Sequence, residues 1–154
     1  MSYTALTDGT SNEPWNEVGT LRWAVAIYNS NWSTWTTAYQ NTYGTTANDW
    51  DVSQVTDFSG LFTDNGFDPK WGSKTDKNYD VSNWDVSAGI KFSNMVNNND
   101  AFNYDLTAWA VSSSASLTNM FTNATQMLAH FNATPSSTDF NQGSSDTNTG
   151  SSGV

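Results

Sequence analysis

Apolar residues recur along this chain in two different rhythms. Over residues 17–44 they step by three and four: Val18, Leu21, Val25, Tyr28, Trp32, Trp35 and Tyr39. That spacing lays one apolar stripe along a helix. Pro14 and Asn16 precede it as start signals, and Gly44 closes it. Asn29-Ser30-Asn31, all poor helix formers, interrupts the middle. The pattern predicts two short helices or one bent one.

From Trp50 onward the rhythm becomes that of a repeat. Trp50-Asp51-Val52-Ser53 returns as Trp84-Asp85-Val86-Ser87, and with one change as Trp109-Ala110-Val111-Ser112. Eight residues after each Trp stand Phe58, Phe92 and Leu117; eleven after, Leu61, Met95 and Met120; twelve after, Phe62, Val96 and Phe121. The approach repeats too, as Tyr79-Asp80-Val81-Ser82-Asn83 and Tyr104-Asp105-Leu106-Thr107-Ala108. The Trp residues are spaced by 34 and then 25 positions, so about nine extra residues sit inside the first unit, within the segment 63–78. No single unit of this size buries its own apolar surface, so units stack and share a core. The three Trp are read as core residues. Ser or Thr at offsets three and nine suits turns in which a hydroxyl bonds nearby backbone. A stack exposes an apolar cross-section at its end, and the helical region just before the first unit is the natural N-terminal cap.

The run Trp50–Phe62, the segment Phe102-Asn103-Tyr104-Asp105-Leu106-Thr107-Ala108-Trp109 and the segment Leu117-Thr118-Asn119-Met120-Phe121-Thr122-Asn123-Ala124 resemble the BspA-like repeat. This is the leucine-rich-repeat-like family of mycoplasma lipoproteins, bacterial surface proteins and algal and protist proteins. The resemblance covers about residues 18–132. It extends to Leu21-Arg22-Trp23-Ala24-Val25 and to Tyr43-Gly44, since members often carry such a segment before the first Trp-Asp. Ala88-Gly89 departs from the family's usual Asn-Val, and the first unit is long. The resemblance implies an α+β repeat fold: a short right-handed, leucine-rich-repeat-like parallel β solenoid of about three coils with an N-terminal α-helical cap. It implies no enzymatic activity and a role at surfaces, in adhesion or in binding.

The expected organisation is one domain. An irregular lead covers residues 1–16, the helical cap 17–44 and the repeats 45–132, with units starting near residues 50, 84 and 109. A flexible Ser/Thr/Asn/Gly-rich tail follows at 133–154, with Phe140 a candidate to fold back as a partial cap. The start of the chain has neither the basic residues nor the apolar run of a targeting segment, and no stretch is long enough to span a membrane. Composition adds exclusions. With five basic residues and a net charge of −10, the chain lacks the basic footprint of a nucleic-acid or anionic-membrane binder. It has no Cys, hence no disulfide framework or thiol chemistry. An Asn/Thr-rich, Lys-poor composition points to an extracellular, cell-surface or lumenal setting.

Candidate chemistry is thin. The single His, His130, has no accompanying nucleophile motif, and Asp51 and Asp85 belong to the repeat, where they read as turn acceptors rather than a paired-carboxylate site. No cofactor is expected. Calcium is the one metal whose ligands are represented, in Asn97-Asn98-Asn99-Asp100, Asp64-Asn65, and Asp49 with Asp51, none at the spacing of a known calcium loop. Asn31-Trp32-Ser33, Asn123-Ala124-Thr125 and Asn132-Ala133-Thr134 match the glycosylation acceptor pattern. The insertion 63–78 holds three of the five basic residues, and Lys70, Trp71, Lys74 and Lys77 are the candidate partner contact. Nothing strongly apolar follows Met127-Leu128, so the C-terminal end, or the sheet face, is expected to pack on a partner or another copy. These features point to a non-enzymatic protein-interaction or scaffold module within a larger assembly. The alternative is carbohydrate binding through exposed aromatics, Trp71 and Tyr104, beside Asn and Asp. A Ser/Thr/Asn face ordering water or ice is disfavoured by the unequal unit lengths.

Overall fold

A computed structural model describes residues 2–30, 34–63 and 78–141 of the chain. The helical stripe forms α1 (Leu21–Ser30) and α2 (Thr37–Tyr43). Leu21, Ala24, Val25 and Tyr28 of α1 are buried, whereas Val18 precedes the helix and is 62% exposed. Trp32 lies outside the described residues. The Thr36 hydroxyl caps α2 by accepting the Tyr39 N–H, and the Gly44 N–H closes it on the Gln40 carbonyl. Gly44 sits at φ 125°, and a Cβ there would stand 2.6 Å from the Asp49 Cβ. Gly44→Ala is therefore expected to cost on the order of 2 kcal/mol, read as a lower urea midpoint with an unchanged slope.

The repeated units stack in one register. Each N–H at offset eight donates to the offset-seven carbonyl of the next unit: Phe58 to Lys91 and Phe92 to Ser116, both at 2.8 Å. The offset-ten amides donate to the next unit's offset-nine carbonyls, Gly60 to Ser93 and Asn94 to Thr118, both at 3.0 Å. The offset-twelve amides donate to its offset-eleven carbonyls, Phe62 to Met95 at 2.7 Å and Val96 to Met120 at 2.9 Å. The extra residues of the first unit fall between the bonded segments and leave this register intact.

The expected right-handed, leucine-rich-repeat-like parallel β solenoid is overturned. Among the described residues there is no β-strand and no sheet, and pairing reduces to isolated parallel bridges such as Asp57–Lys91 and Lys91–Ser116. The cause is local. Gly60, Asn94 and Asn119, all at offset ten, have φ of 62°, 58° and 55°, and Asn98 and Asn123, at offset fourteen, have 63° and 59°. A left-handed residue reverses the extended path just after each bridge, so no run stays extended long enough to make a strand. Asn tolerates this geometry where β-branched residues do not. Asn119→Val should cost about 1–2 kcal/mol in chemical denaturation, while Asn119→Gly should stay near the parent value.

The core is a column of rings. Trp50 stacks on Trp84 at 6.1 Å, Trp84 on Trp109 at 6.4 Å, and Trp109 on Phe140 at 6.5 Å. Beside it Phe58 stacks on Phe92 at 5.0 Å. The Trp84 indole N–H donates to the Ala47 carbonyl and the Trp109 indole N–H to that of Val81, each three residues before the preceding unit's Trp. At the N-terminal end the column meets Tyr28 and Trp35, both 5.1 Å from Trp50. The lead joins the body as well. Leu6 is fully buried, its N–H donates to the Asp51 carbonyl, and the Asp8 carboxylate accepts from the Thr56 and Asp57 amides.

The C-terminal end is closed, with Phe140 folded back on it as a cap, and it is not the open apolar end that was expected to need a partner. After the short helix α3 (Thr125–Leu128), Phe131 and Phe140 stack on each other at 5.1 Å and cover Phe121 and Trp109. Asn141 fastens the segment: its N–H donates to the Trp109 carbonyl and its side-chain amide exchanges hydrogen bonds with Val111. The sequence showed Phe140 as a candidate cap, but the parts of Phe131 and Asn141 did not stand out in a Ser/Thr-rich stretch.

Candidate functional site

The residues first singled out as a partner contact, Lys70, Trp71, Lys74 and Lys77, lie outside the described residues. The polar groups that are described have mostly structural employment. Asp51, Asp57, Asp80, Asp85 and Asp105 each accept the N–H of the Ser or Thr two residues on, and four of them also accept its hydroxyl. The five Asp-x-Ser/Thr turns thus hold the bends between apolar positions. The calcium candidates are engaged in the same way. The Asn99 side-chain oxygen accepts from the Ala101 and Phe102 amides, Asn98 accepts from Asn123, and Asp49 accepts from Thr46. Asp64 and Asn65 fall outside the described residues. Among the described residues no three His, Asp or Glu side chains converge as metal ligands. His130 is half-buried, Tyr104 is half-buried with its hydroxyl donating to the Asn78 carbonyl, and Trp23, Trp35, Trp50, Trp84 and Trp109 are all buried. No described helix is long and apolar enough to cross a membrane.

What the sequence did not reveal is a trough of about 520 Å³ across the bridged rows, lined by Ser59, Gly60, Lys91, Ser93, Asn94 and Ser116. It exists because the rows are in register, so offsets seven, nine and ten of neighbouring units lie side by side. Gly60 opens it: the equivalent positions in the next units carry Asn94 and Asn119 side chains. The Ser93 and Ser116 hydroxyls are 2.8 Å apart. Behind the trough Arg22 of α1 pairs with Asp57 at 3.2 Å and donates to the Ser59 carbonyl at 2.8 Å. Lys91, exposed, forms no ion pair among the described residues.

Three carboxyls are held below their ordinary range. Burial pushes Asp57 up, but the Ser59 hydroxyl and amide and the charges of Arg22 and Lys91 outweigh it. The Ser87 hydroxyl and amide lower Asp85, and the Thr10 and Ser11 amides lower Glu17. A carboxyl depressed on folding stabilises the fold above its unfolded pKa, near 4, and that contribution is lost as pH falls through the folded value. Thermal midpoints should therefore hold steady from neutral pH to about pH 5 and fall below about pH 4.

Residues 33–151 match the model of a family described as "Mycoplasma protein of unknown function, DUF285". No curated protein and no solved structure matches the chain.

Proposed function

We propose that this chain, which belongs to the DUF285 family of Mycoplasma proteins of unknown function, is a non-enzymatic interaction module that serves as a surface component of a larger assembly. The BspA-like kinship of its Trp-Asp-Val-Ser units is part of the same reading, as is placement outside the cell or at its surface. One observation carries it above the others: the recurring Asp side chains and Asn99 are spent on holding turns, which leaves a stacked body. A body of this kind acts by presenting a surface. With the C-terminal end closed, the contact belongs to a lateral face or to the insertion 63–78.

Crosslinking with mass spectrometry in the native extract tests this. The reading expects Lys70, Lys74 or Lys77 to join repeatedly to one protein, and that join to be lost when the three are replaced by Gln. A protein that stays monomeric with no recurrent partner contradicts it.

A further inference from the structure

We propose that the trough beside Gly60 binds the carboxylate-bearing sugar of an acidic glycan. In a chain of net charge −10, an anion is repelled from most of the surface. Of the two described basic residues, Lys91 lines this trough, Arg22 donates to the carbonyl of its Ser59, and both charges act on Asp57. Arg22 is occupied by Asp57 and by backbone carbonyls, which leaves the exposed Lys91 ammonium to meet a carboxylate. The rest of the lining is made for hydroxyls. The Ser59 hydroxyl donates to Asp57, so its oxygen is turned outward as an acceptor, and the Ser93–Ser116 pair leaves one hydroxyl proton to donate. The Asn94 side-chain oxygen accepts from Asn97, leaving its NH₂ as a donor. No large apolar side chain lines the trough, which disfavours an apolar ligand or a peptide that needs a side-chain pocket. The volume of about 520 Å³ lies within the range of small-ligand sites.

The repeat itself supplies the cleanest variant. Gly60 sits at φ 62° with its nearest prospective contact at 3.9 Å, and the next units already place Asn at this position and geometry. Gly60→Asn therefore fills the trough without disturbing the fold. This proposal does not rest on the protein contact proposed above, and its failure would leave that reading standing.

The test titrates the full chain with a hyaluronan tetrasaccharide, followed by amide chemical shifts. The same tetrasaccharide with its carboxylates reduced to alcohols, and tetraglutamate, are run alongside. The expected result is saturable shifts at Gly60, Lys91 and Asn94 for the acidic sugar alone, with affinity weakened about tenfold or more by Lys91→Gln and by Gly60→Asn. Thermal midpoints of both variants are measured to show that the fold is kept. The proposal is overturned by no saturation at about 10 mM, by equal binding of the reduced sugar, or by binding that survives both variants. Tetraglutamate binding as well as the sugar would show a general anion or peptide site and would equally overturn it.

Discussion

Trp84→Ala is expected to lower the folding free energy by about 4 kcal/mol, at the upper end for a core truncation. The side chain lies between Trp50 and Trp109 and touches Phe58 and Phe62, so its removal opens the column at its centre. It also removes the indole donor to the Ala47 carbonyl. Against a native stability of roughly 5–15 kcal/mol, such a loss leaves the chain near its unfolding threshold. A paired comparison separates packing from hydrogen bonding. Trp84→Phe keeps a ring but deletes the bond, and should cost about 2 kcal/mol. Trp50→Phe should cost about 1 kcal/mol or less, because the Trp50 indole nitrogen is buried with no hydrogen-bond partner among the described residues. Trp50 heads the column, with helical rings before it instead of a preceding unit's carbonyl. Equal costs for the two Phe variants in urea denaturation would refute the indole ladder.

Phe140→Ala carries the second large effect, about 3 kcal/mol. Phe140 is 1% exposed and occupies the place that a fourth Trp would take, stacked on Trp109 and Phe131. Its loss exposes the end of the column and should add apolar dye binding as well as lower the urea midpoint. A variant with unchanged midpoint and no dye binding would mean that the end is closed by something else.

Much of the packing was legible in the residues. Trp50, Trp84 and Trp109 and the recurring positions at offsets two, eight, eleven and twelve are all buried, because a side chain kept apolar in every unit is one that neighbouring units share. The backbone was less legible. The apolar pattern of a strand and of a single bridged residue between turns is the same, and what separates them is the left-handed residue at offset ten, written once as Gly60 and twice as Asn. Asn is so common in this chain that its conformational use did not stand out. Phe140 could be picked out as a partial cap, but the part of Phe131 in the closure was missed beside a stretch whose composition reads as linker. The trough was out of reach for another reason: Ser59, Lys91 and Ser116 converge only once the register is known, and the unequal unit lengths argued against hydroxyl residues in register on successive units.

That register is the central claim, and amide hydrogen exchange tests it residue by residue. Stacking through offset-eight and offset-twelve bonds predicts strong, matching protection at Phe58, Phe62, Phe92 and Val96, with weak protection at the exposed turn residues Gln54 and Ser113. If Phe58 and Phe92 exchange as fast as those turn residues, the units are not joined in this way and the stacked account fails.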